Sequence, residues 1–164
     1  MNNRTAVAAS VQASHTVTRG GIRPAARAID HRANIFAVVL PATPMSVTRS
    51  RHALARWLRT LALTPDQLDE ILLAVSEAVT NAIEHGSRCD ESKRVSIRAS
   101  VRDRAVTATV KDTGRWIPVD PGAAARRHRG RGLILIRELA DNVDIACTIE
   151  GTEITMRFDS ALGQ

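Results

Sequence analysis

Aromatic residues are nearly missing from this chain. It carries Trp57, Trp116, Phe36 and Phe158, and no Tyr. A core must therefore be aliphatic, and the scarcity argues against stacking platforms for single-stranded nucleic acid, which need aromatic rings. Cysteine is scarce too. Cys89 and Cys147 have no metal-ligand spacing and make no disulfide framework. Cys147 alternates in phase with Val143, Ile145 and Ile149, which predicts a small core residue. No apolar run approaches the ~20 residues of a membrane span. The N-terminus has no continuous apolar stretch of the kind a secretory signal needs. A reducing cytoplasm is the expected location.

What is present is charge, unevenly spread. The formal net charge is +6 and the pI about 10.8. Residues 1–34 hold Arg4, Arg19, Arg23, Arg27 and Arg32 against Asp30, a net +4. That segment is rich in Ala, Ser, Thr, Arg and Gly and has no sustained apolar period, so it is expected to be a disordered basic tail. A basic tail fits a solvated arm, and it also keeps open a nucleic-acid-binding reading. The rest, residues 35–160, is long enough for one domain with its own core.

Within that domain, residues 35–40 alternate as a short strand, closed by Pro41 and Pro44. A helix is expected over 47–61, where Leu54, Trp57, Leu58 and Leu61 fall at helical spacing. Thr64, Pro65 and Gln67 form a helix start, with Thr64 as cap, Pro65 in the first turn and Gln67 at the capping-box position. That second helix is expected to run to His85 and stop at Gly86, with Leu68, Ile71, Leu72, Val75, Val79, Ala82 and Ile83 on one face. Strands follow over 94–101 and 106–112, turning at Asp103 and Arg104. Residues 113–129 lack periodicity, and a loop this long is usually functional or disordered. A helix over 133–140 and a hairpin of 143–149 with 153–158 complete the chain. The order β-α-α-β-β-α-β-β predicts an α+β fold: a two-layer α/β sandwich, its mostly antiparallel sheet covered on one face by helices.

Three polar motifs fall in order along the second half. The first is the run EAVTNAIEHG, which places Glu77, Asn81 and His85 four apart on one helical stripe, opposite the apolar one. A solvated polar face would look the same. A magnesium site would need such an oxygen donor as the Asn81 side chain, because magnesium takes oxygen ligands and keeps substrate phosphates in its shell. The second motif is Asp112-Thr-Gly114. Asp112 is in phase with Val106, Ala108 and Val110. A carboxylate on an apolar face is costly unless a donor such as the adenine amino group meets it, although an Asp closing a turn would also fit. The third is Gly130-Arg-Gly132 ahead of a helix, where backbone amides can receive phosphate. Arg126, Arg127 and Arg129 precede it and could offset phosphate charge.

Taken together, in this order, with Gly151-Thr152 as a fourth element, the motifs resemble the ATPase superfamily of DNA gyrase and histidine kinases. The short chain resembles its bacterial anti-sigma serine/threonine kinase branch in particular. The likeness covers residues 35–158. Arg115 and Trp116 stand where many members carry another glycine, so the following loop starts bulkier here. The resemblance implies ATP and Mg2+ as cofactors, with Asn81 on the metal and Glu77 as catalytic base. It implies ATP contacts from Asn81, His85, Asp112, Gly114, Arg129, Gly130, Arg131, Gly132, Leu133 and Thr152. It further implies a sigma factor as a sequestered partner and an anti-anti-sigma antagonist as phosphorylated substrate, with homodimers frequent in the family. Two other readings remain: an ATP-binding regulatory module without kinase turnover, and nucleic-acid binding through the tail. The ATPase half of a histidine kinase fits less well, since only 34 irregular residues precede the first strand and supply no phosphoacceptor helix pair.

Overall fold

Period-two alternation builds a sheet whose two faces differ in kind. The computed structural model describes residues 35–114, 131–148 and 150–159. Five strands, β1 (Ile35–Pro41), β2 (Arg94–Arg102), β3 (Ala105–Asp112), β4 (Asn142–Thr148) and β5 (Gly151–Phe158), pair antiparallel in the order β1-β2-β3-β5-β4. Register lines up whole rows of apolar side chains on one face. Phe36, Ala99, Ala108, Met156 and Val143 form one row, and Val38, Ile97, Val110, Ile154 and Ile145 the next. The opposite face carries Arg98, Thr109, Thr155 and Asp144 in register, and Thr109 and Thr155 hydrogen-bond at 3.2 Å. One face is therefore made for burial and the other for water.

Among the described residues three helices cover the apolar face: α1 (Pro44–Leu58), α2 (Pro65–Asn81) and α3 (Arg131–Leu139). Leu54, Leu58, Ile71, Val79 and Ile136 are fully buried against the sheet. Among the described residues two of the few aromatics pair, Phe36 on β1 against Trp57 on α1 with ring centroids 5.9 Å apart. The predicted α+β sandwich, with its element order and single covered face, is the observed architecture.

Local details depart from expectation where tertiary contacts intervene. Pro44 opens α1 rather than closing β1, because extended Thr43 serves as its N-cap and proline suits a first turn. The chain then leaves α1 at Leu58, so Leu61 lies beyond the helix. The second helix does not run to His85 in one piece. After Asn81 it widens into a π-helical turn, Ala82–Gly86, closed by the Ser87 N–H donating to the Ala82 carbonyl at 2.8 Å. Cys147 is exposed rather than core. Its strand β4 is an edge strand with no fully buried residue, so alternation there does not guarantee burial. Residues 1–34, expected to be a tail, lie outside the described residues.

Candidate functional site

The site begins with how α2 is held. Thr64 Oγ1 accepts from the Gln67 N–H at 3.3 Å, and Gln67 Oε1 accepts from the Thr64 N–H at 2.9 Å. This reciprocal cap satisfies two of the otherwise orphaned donors at the start of the helix. With Ile71, Leu72, Val75 and Val79 buried, the other side of α2 turns Glu77 and Asn81 toward α3. They are half-buried, not solvated. Gly132, in the first turn of α3, is packed against both. A Cβ there would stand 3.0 Å from Glu77 Oε2 and 3.2 Å from Asn81 Nδ2, so a side chain at this position would displace one or the other. Glu77 and Gly132, with Ile134, Leu135 and Glu138, line an open cleft of about 460 Å³.

The π-helical turn leads from this end to the other. At the far end Gly86 packs its Cα directly on the Asp112 carboxylate, and any Cβ there would collide with it. Gly114 packs against the Gly86 carbonyl, and Gly151 against the Asp112 carbonyl, each too close for a side chain. Gly151 also holds a φ of 141°, a conformation side chains rarely adopt. Three glycines thus allow close packing of the chain around Asp112, one against its carboxylate and one against its carbonyl.

Asp112 sits in register with Val95, on the apolar face, and is only 2% exposed. Its Oδ1 accepts from the Gly114 N–H at 2.7 Å. Burial pushes its carboxyl above the ordinary aspartate range. The backbone N–H groups of Gly114 and Thr152 and the charge of Lys93 pull the other way without cancelling that rise. A carboxylate kept in so dry a place has use for a further donor.

Three buried side-chain atoms among the described residues have no hydrogen-bond partner: Asn81 Nδ2, Ser87 Oγ and Thr152 Oγ1. Buried polar groups are nearly always paired, and here the exceptions fall along one path, from Glu77 and Gly132 to Asp112. Asn81 and Thr152 were singled out from sequence. Ser87 was not: it follows Gly86 directly and no motif marks it, yet it is fully buried. Only its position one residue beyond the close-packed glycine could have pointed to it.

The other expected residues fall as follows. His85 lies in the π-helical turn, half-buried, with no side-chain hydrogen bond among the described residues. Leu133 packs against the core. Arg131 opens α3, and nothing is described of its side chain. Arg129 and Gly130 lie outside the described residues. No group of three or more His, Cys, Asp or Glu residues that could hold a metal occurs among the described residues. A cation here would depend on the Asn81 side-chain oxygen and on oxygens brought by its ligand.

Comparison with known proteins points one way. Residues 40–158 match the histidine kinase-like ATPase domain family. An anti-sigma F factor of Clostridium perfringens is 33% identical over 117 residues, which span 66% of this chain and 84% of that protein. The anti-sigma F factor of Oceanobacillus iheyensis is 31% identical over 116 residues, 65% of this chain and 80% of that one. Among solved structures, the RsbU and RsbW domains of Rv1364c from Mycobacterium tuberculosis superpose with a TM-score of 0.62 at 26% identity. That likeness takes in 76% of this chain but only 32% of the larger one.

Proposed function

Since the chain belongs to the histidine kinase-like ATPase domain family, and within it to the anti-sigma factor kinases, we propose that it binds ATP along the path from Asp112 to Gly132 and transfers the γ-phosphoryl group to a serine or threonine of a protein antagonist. It does so as an anti-sigma factor that sequesters a sigma factor in the cytoplasm until the antagonist competes. No helix among the described residues is long and apolar enough to cross a membrane. The observation that carries the nucleotide reading is the line of unpartnered buried atoms Asn81 Nδ2, Ser87 Oγ and Thr152 Oγ1 beside the buried Asp112 carboxylate.

Each residue then has a task. Asp112 accepts from the exocyclic amine of adenine, and Thr152 supplies a second polar contact to the base. The packed glycines Gly86 and Gly114 keep side chains from crowding the base. The amides at the start of α3, around Arg131 and Gly132, face the phosphates, as helix N-termini do. Arg129 and Gly130 keep the ATP-binding role that the family resemblance implies. Asn81 fits an Mg2+ role through its side-chain oxygen, since magnesium is usually held by one or two protein oxygens plus substrate phosphates, while its buried, unpartnered Nδ2 is left to donate to the ligand. Bound there, magnesium would neutralise phosphate charge. Glu77 orients the acceptor hydroxyl and takes its proton. Phosphoryl transfer depends mainly on such positioning and charge stabilisation.

An ATP-binding module without turnover would share every one of these features except the use of Glu77. The Glu77→Gln variant separates the two. We expect it to keep ATP affinity and to lose ~10²–10⁴-fold in phosphotransfer, measured with labelled ATP on the protein it retains from a cell lysate. Wild-type turnover in the variant would remove Glu77 from the chemistry. No transfer by the wild-type protein to any retained partner would favour the module without turnover.

A further inference from the structure

Cys147 stands on the helix-covered face of the sheet and is nonetheless exposed. The face follows from its register. Cys147 pairs with Thr152, Ile145 with Ile154 and Val143 with Met156. Ile154 and Met156 are buried beneath the helices. Directly opposed residues of an antiparallel pair project to one face, with Cβ atoms ~4.5–5.5 Å apart. The sulfur is therefore beside the Thr152 side chain. That side chain is 8% exposed and its Oγ1 has no partner. The Thr152 N–H meanwhile donates to Asp112. An accessible thiol thus flanks a buried hydroxyl that lacks a ligand, one residue pair away from the carboxylate around which the chain segments close.

Resting on the nucleotide reading above, we propose that Cys147 is a thiol modification site at the rim of the nucleotide pocket: bound nucleotide shields its sulfur, and an adduct on that sulfur excludes nucleotide. The reagent class is a low-molecular-weight disulfide. The Cys147 thiolate, its proton lost to solvent, attacks one sulfur of the reagent, and a mixed disulfide forms as the reagent's own S–S bond breaks and its other half departs as a thiolate with the bonding electron pair. A dithiol reductant reverses the exchange. The site would couple nucleotide occupancy to the thiol balance of the surroundings.

The test uses dithiobis(nitrobenzoate), whose released thiolate is coloured. Cys89→Ser leaves Cys147 as the only cysteine of the chain. ATP at about ten times its Kd leaves roughly a tenth of sites open, so the reaction of Cys147 is expected to slow about tenfold. Cys147→Ser, which retains Cys89, is expected to react equally fast with and without ATP. The Cys147 adduct should weaken ATP binding by about tenfold or more in calorimetry, with dithiothreitol restoring it. Protection is read on the native protein, so it remains decisive even if a bulky adduct loosens the edge strand. An unchanged Cys147 rate, in a sample that calorimetry shows to bind ATP, overturns the proposal and leaves the nucleotide reading intact. Failure of the unmodified protein to bind ATP overturns both.

Discussion

Asp112 is in the least comfortable position of any charged residue described. It is buried on the apolar face of β3, and burial raises its carboxyl above the ordinary range. The folded state therefore resists ionising it. As pH rises from the ordinary aspartate value of ~3.9 through the raised one, the folded protein loses stability relative to the unfolded chain, which ionises earlier. Below that window the group is neutral in both states and the penalty vanishes. The Asp112→Asn variant cannot ionise there. We expect its melting temperature, relative to wild type, to improve as pH rises from about 3.5 to neutrality. A flat or falling difference would mean that the carboxylate is already compensated without ligand. The same substitution should weaken ATP more than GTP in a competition assay, since adenine offers an amino donor where guanine offers a carbonyl. An unchanged preference would count against Asp112 as the base reader. The position was legible in sequence because a carboxylate broke an apolar alternation. Ser87 was not, because an orphaned hydroxyl becomes visible only once its surroundings are packed.

At the scale of elements, α2 holds the site together, and its start is its best-defined part. Replacing Thr64 by Ala removes the cap oxygen and should cost ~0.5–2 kcal/mol of stability, read from denaturant unfolding, while ATP affinity at saturating folded protein stays unchanged. A loss of affinity without a loss of stability would show that the cap positions Glu77 directly. That start was readable because a capping box lies within four consecutive residues. The end was not. After Asn81 the spacing shifts from α to π, and this turn ends with Gly86 against the Asp112 carboxylate on β3. Sequence periodicity carries no record of such a contact, so one continuous helix to His85 was the natural reading. Cys147 misled for a related reason. Alternation identifies a face, and it cannot say where along an edge strand that face is covered.

For the whole molecule, the layer architecture follows from the hydrophobic pattern alone: five strands with one apolar face need helices to cover it. The motifs then needed the fold to become a site. Glu77, Asn81 and Gly132 are joined by the packing of α2 on α3, and Asp112, Gly114 and Thr152 by the pairing of β3 with β5 and the close approach of Gly151. Both ends converge on unpartnered buried polar atoms, which is the reason to expect one extended ligand spanning them. Calorimetric titration of ATP into the full chain, with and without magnesium, on wild type and Asn81→Ala in parallel, tests this most directly. The account predicts magnesium-dependent binding to the wild type, and a variant that remains folded by circular dichroism but no longer gains affinity from magnesium. Equal Mg-ATP affinity in a folded Asn81→Ala variant, or no ATP binding by the wild type, would contradict it.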